Sequence, residues 1–158
     1  MTHQPRRIRA MEAANRVSAA QNDPTTAIAI ICRYAVAFIW WYQGLYCKLL
    51  GGQPHQADVA ASAFSLQRDN GYIVLIAIGL FETGLGCLVA WSRPTKALAS
   101  IQTGLLVAMN SIGLLLGHEW IPDPIEMVFN NCLLISVVWL LAELEHERRE
   151  LNRKIPVQ

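Results

Sequence analysis

No charged residue occurs between Ala97 and Gly117. A chain that carries about twenty apolar residues without interruption can cross the roughly 30 Å hydrocarbon layer of a bilayer as one helix. A helix buried in a soluble bundle would show a polar stripe at helical spacing, and this one has none. Three further stretches have the same character. One runs from Ala27 to Leu50, interrupted by Arg33 and Lys48. Another runs from Gly71 to Ser92, interrupted only by Glu82. The last runs from Pro124 to Ala142, with Glu126 in its first turn. Hydrophobic residues make up 53% of the 158 residues and charged residues only 16%, where a soluble domain carries about 25% charged residues. The sequence therefore predicts an all-α integral membrane protein with four spans, at about 27–50, 71–92, 97–117 and 124–142.

The basic residues give the spans an orientation. Arg6, Arg7, Arg9, Arg16 and Arg33 precede or open span one. Arg93 and Lys96 lie between spans two and three, and Arg148, Arg149, Arg153 and Lys154 follow span four. Only Lys48 and Arg68 fall on the other side, which carries Asp58, Asp69, Glu119, Asp123 and Glu126. Cytoplasmic loops are enriched in Lys and Arg, so both termini are expected in the cytoplasm. The turns at Ser92–Lys96 and Gly117–Asp123 are short, which makes consecutive spans antiparallel neighbours in an up-down four-helix bundle. Asp23 and Asp123 are placed to cap free N–H groups, with Pro24 and Pro124 at first helical positions.

The expected organisation is a cytoplasmic N-terminal segment at 1–23, a four-span domain at 24–142 and a charged cytoplasmic tail at 143–158. Residues 8–17 read as a basic interfacial helix or a disordered tail. A polar stretch separates the first arginines from span one, and no small-residue cleavage site follows, so no secretory signal is expected. In the longer outer segment, Val59, Ala63 and Leu66 share a helical face, which suggests a short helix resting on the membrane surface.

Glu82 is the residue that span two has to explain. Leu75, Gly79, Glu82 and Gly86 fall on one helical face, and the two glycines allow close approach of another helix. A charge at mid-membrane costs about 2.5–3.5 kcal/mol on insertion scales, so this face is expected to point into the bundle towards polar partners. Counted from the outer boundary, Gln43, Asn110, Asn130 and Asn131 stand at similar depths. Lys48 is expected nearer the outer surface, with a stem long enough to reach inward. The candidate intramembrane polar cluster is thus Gln43, Lys48, Glu82, Asn110, Asn130 and Asn131. The helix-packing candidates are Gly79 and Gly86 on span two, and Gly113 and Gly117 on span three. Amides between membrane helices are often packing contacts only, whereas an ionisable group inside a span is a functional hypothesis by default.

The segments W40-WYQGLYCKLLGG52 and G79-LFETGLG86 resemble the DoxX-like family of small bacterial four-span membrane proteins. The family pattern is met by Arg33, Gly44, Leu45, Lys48, Leu49, Gly79, Glu82 and Asn131, over about 27–142. Cys47 departs from it, since many relatives have proline before the lysine. The resemblance implies a place in the bacterial inner membrane. It also implies an association with redox systems, the founding member being a small subunit of a thiosulfate:quinone oxidoreductase.

Other chemistries lack their residues. Cys32, Cys47, Cys87 and Cys132 form no C-x-x-C pair. His3, His55, His118 and His146 are scattered, without metal or haem spacing, and no nucleotide-binding motif occurs. Trp40 and Trp41, near mid-span, read as packing residues, with a flat site for a quinone ring as the alternative. The expected role is an accessory or anchoring subunit of a redox membrane complex, with no intrinsic cofactor or metal and with quinone as a candidate ligand. The expected partners are the lipid bilayer and a redox protein, not nucleic acid, and an oligomer is compatible with the sequence. The alternatives are a small proton-coupled transporter and a stand-alone membrane enzyme using Glu82.

Overall fold

The computed structural model describes residues 24–154, so the segment at 8–17 and the cap expected from Asp23 lie outside the described residues. The chain divides at Ile31 into a short N-terminal unit, helical from Pro24, and a main unit from Cys32 onward. The contacts described below belong to the main unit. Helix α1 (Pro24–Trp41) continues into a π-helix (Tyr42–Leu49). A short α2 (His55–Ala63) follows, then α3 (Arg68–Trp91) and α4 (Lys96–Leu116). A single 3₁₀ turn (His118–Trp120) leads to α5 (Pro124–Lys154). No strand occurs among the described residues.

Four helical stretches are long and apolar enough to cross a membrane: Thr25–Leu49, Arg68–Trp91, Lys96–Leu116 and Pro124–Glu150. They cover the four stretches expected from hydropathy. Their outward faces are apolar, with Phe38, Leu80, Leu115, Ile125 and Phe129 all exposed, as a surface solvated by lipid requires. The N-cap of α4 is Thr95, whose Oγ1 accepts from the Leu98 N–H at 3.1 Å. Asp123 caps α5 by accepting from the Glu126 N–H at 2.9 Å. Each satisfies an amide that the first turn leaves open.

The main unit is built from two helix pairs. The end of span one packs on α3 through glycine. A Cβ at Gly44 would lie 2.6 Å from the Gly79 carbonyl oxygen, and one at Gly79 would lie 2.9 Å from the Gly44 carbonyl oxygen. Only glycine lets the two backbones meet there. About two α-turns further along α3, Gly86 accommodates the Trp41 ring. In the second pair, α4 and α5 are joined by Asn131 Nδ2 donating to Asn110 Oδ1 at 2.7 Å and Trp139 Nε1 donating to Thr103 Oγ1 at 3.0 Å. The pairs meet through Trp40, whose indole N–H donates to Gln102 Oε1 at 2.8 Å.

The helix α2 does not rest on a surface by the expected face. Its Ala57 and Ala60 are buried, and a Cβ at Gly71 of α3 would strike Ala61 and the Ala57 carbonyl. Val59 occupies the space beside Gly117 and borders Gly113. The helix ends at Ala63, so Leu66 lies beyond it, partly exposed. The small-residue pair of α4 therefore receives α2, not another span, and α2 caps the bundle between the Gly71 end of α3 and the Gly117 end of α4. Ser62 Oγ fastens it by donating to the Leu116 carbonyl at 2.9 Å.

Candidate functional site

Leu75, Gly79, Glu82 and Gly86, read from sequence as one face, are all buried. Glu82 is 2% exposed and Lys48 is 4% exposed, and Lys48 Nζ stands 2.7 Å from Glu82 Oε2. No amide or hydroxyl among the described residues donates to that oxygen, so Lys48 is its sole partner.

The π-helix explains how Lys48 comes to be there. Its backbone bonds run from i to i+5 or beyond, as in Leu50 N–H to the Leu45 carbonyl at 2.9 Å and Gly52 N–H to the Tyr46 carbonyl at 3.0 Å. That pattern widens the turn and shortens the rise. Residues four to five apart then share a face, which puts Gly44 and Lys48 in line against α3. The Lys48 stem lies on Gly79, where a Cβ would be 2.9 Å from Lys48 Cβ. Gly79 is eight residues along α3 from Gly71, a rise of about 12 Å. Lys48 was expected near the outer surface with its side chain reaching inward. It lies instead beside the middle of α3, because span one stops short and α2 packs across the Gly71 end of α3. The ion pair consequently lies near the middle of α3, enclosed between span one and α3.

The expected six-residue cluster resolves into separate parts. Lys48 and Glu82 form one, and Asn110 and Asn131 form another. Asn130 is exposed on α5, because adjacent residues on a helix point about 100° apart and only one can face α4. Gln43 is half-buried and makes no side-chain hydrogen bond among the described residues. The glycines serve different neighbours: Gly79 and Gly86 receive span one, while Gly113 and Gly117 receive α2 and the Ile121 side chain.

Two residues gain importance. Gln102 is 3% exposed. Its amide accepts from Trp40 and donates to the Leu98 carbonyl at 3.3 Å. Trp40 is 1% exposed, so it belongs to the core and offers no open face to a quinone ring. The sequence signal for this contact was a glutamine in a charge-free span together with a tryptophan at mid-span. Cys47 is buried beside Lys48, and none of the four cysteines is in a disulfide. No group of histidine, cysteine and carboxylate side chains with metal-site geometry occurs among the described residues.

These motifs decide the relationship, since the sequence model of the DoxX-like family matches residues 37–139. The chain belongs to the DoxX-like family. The matched region contains the Gly44–Gly79 crossing, the Lys48–Glu82 pair and the Asn110–Asn131 bond, so this DoxX-like protein carries its buried polar groups within the family domain. No curated protein and no solved structure matches the chain.

Proposed function

We propose that this DoxX-like protein is an accessory subunit that anchors a redox enzyme, linked to the quinone pool, at the bacterial inner membrane. Both termini lie in the cytoplasm in this reading. The observation that carries the proposal is the enclosure of the one intramembrane ion pair among the described residues. A carboxylate that transfers protons or meets substrate must be reachable, and Glu82 is 2% exposed and held at 2.7 Å by Lys48. The pair instead fixes the register of span one against α3, next to the Gly44–Gly79 crossing. The ionisable chemistry of the spans is thereby committed to assembly, and the partner supplies the redox centre. The placement of eleven of the 13 basic residues on one side supports the orientation.

The test is purification of the tagged chain from native membranes in mild detergent, with mass spectrometry and absorption spectroscopy of what is retained. A stoichiometric partner carrying flavin, haem or iron–sulfur is expected. Recovery of the chain without any stoichiometric partner contradicts the reading. A proton-coupled carrier is the second reading, favoured by the π-helix beside the carboxylate, since such irregularities frequently accompany functional sites. Proton flux into liposomes containing the purified chain alone would favour it.

A further inference from the structure

A cleft lies at the end of the main unit that carries the Arg93–Lys96 turn, and all four spans line it. Span one contributes Arg33 and Val36, α3 contributes Val89, α4 contributes Gln102 with its capping residue Thr95, and α5 contributes Leu141. The walls are mostly aliphatic, and no carboxylate lines the cleft among the described residues. Arg33 Nε is buried without a hydrogen-bond partner. Among the described residues the guanidinium makes one side-chain hydrogen bond, a long 3.4 Å contact from Nη2 to the Tyr34 hydroxyl, and its Cζ stands 5.1 Å from the Tyr34 ring centre. The acid nearest in sequence to the α5 side of the cleft, Glu143, is already paired with Lys96 at 2.9 Å. Gln102 is committed to Trp40 and to the Leu98 carbonyl, so it does not neutralise Arg33.

A buried guanidinium N–H without an acceptor is costly, and an anionic oxygen satisfies both its charge and its hydrogen bond. The start of α4 adds to this. Thr95 Oγ1 serves the Leu98 amide, which leaves the first-turn amides of Lys96 and Ala97 at the positive end of the helix dipole, beside the cleft. Basic pockets between spans on the cation-rich side suit anionic headgroups. We propose that this cleft binds the phosphodiester of an anionic phospholipid from the adjoining leaflet. The space between the walls is about 10 Å³, room for a single phosphate oxygen, so the phosphodiester sits at the mouth with Arg33 as its principal contact and its glycerol and acyl carbons lie outside.

The experiment measures the thermal midpoint of the full chain in neutral detergent after adding phosphatidylglycerol, phosphatidylcholine or inorganic phosphate. Phosphatidylglycerol is expected to raise the wild-type midpoint on the order of 5 °C above phosphatidylcholine. Arg33→Gln should abolish that difference, and Arg33→Lys should reduce it, because a point charge replaces the fork. Arg93→Gln, on the exposed turn, should retain it. Inorganic phosphate that stabilises as much as the lipid would assign the cleft to a free anion and overturn the lipid. Equal shifts with both lipids in the wild type would overturn the site itself, as would an undiminished preference in Arg33→Lys. The Arg33→Lys result decides the matter if Arg33→Gln does not fold.

Discussion

Replacing both members of the Lys48–Glu82 pair by apolar residues should be far less damaging than replacing either one. At 2.7 Å and an effective dielectric of about 20, the attraction is about 6 kcal/mol. Burying each ion costs several kcal/mol, so the pair as a whole comes out near zero against well-packed apolar substitutes. A single substitution removes the attraction and keeps one desolvation cost. Lys48→Met and Glu82→Leu should therefore each lose about 3–5 kcal/mol, whereas the double variant should lie within about 2 kcal/mol of wild type, on either side. Glu82→Gln belongs with the damaging singles, because glutamine accepts a hydrogen bond but leaves the ammonium without a counter-charge. The assay is reversible unfolding in mixed micelles followed by circular dichroism, read as a double-mutant cycle. Single losses under about 1 kcal/mol would refute the burial argument. A double loss equal to the sum of the singles would refute the pairing.

Gly44→Ala should lower the unfolding free energy by about 1–3 kcal/mol, since its Cβ would lie 2.6 Å from the Gly79 carbonyl oxygen and 2.7 Å from the Thr83 amide nitrogen. Gly84→Ala, with nothing within 4 Å, should be neutral or stabilising by roughly 0.5–1 kcal/mol, and the reverse order of the two would contradict the crossing. Gln102→Leu should cost about 1–3 kcal/mol by stranding the Trp40 N–H, and a red shift of tryptophan emission on unfolding provides the readout. A reporter active only outside the cytoplasm should be silent when fused after Gln158 and active when inserted at Gln56. The opposite pattern would reverse the orientation.

The spans were legible because hydrocarbon thickness fixes the length of an apolar helix, and the Glu82 face because glycine spacing marks close approach. Depth was less legible. Counting at 1.5 Å per residue put Lys48 too near the surface, since span one stops short of the level that α2 fills. The Gly113–Gly117 pair was read as a contact between spans, and only the tertiary arrangement gives it to Val59 of α2. Asn130 and Asn131 are equivalent by composition, and the rotation of α5 selects Asn131. Gln102 does not share the depth of Glu82, since it lies one to two turns into α4 from Lys96, nearer the opposite end.

If Lys48 and Glu82 hold the fold together and perform no chemistry, as proposed, exchanging their charges is the decisive experiment. Lys48→Glu alone places two carboxylates together, and Glu82→Lys alone two ammonium groups. Each single variant, produced in native membranes, should lose the partner retained by the wild-type chain. The exchanged variant carrying both substitutions restores opposite charges across the same gap, so it should recover the partner in near wild-type amount. If the exchanged variant retains no more partner than the single variants, or if the single variants retain it fully, the pair does not have the structural role assigned to it.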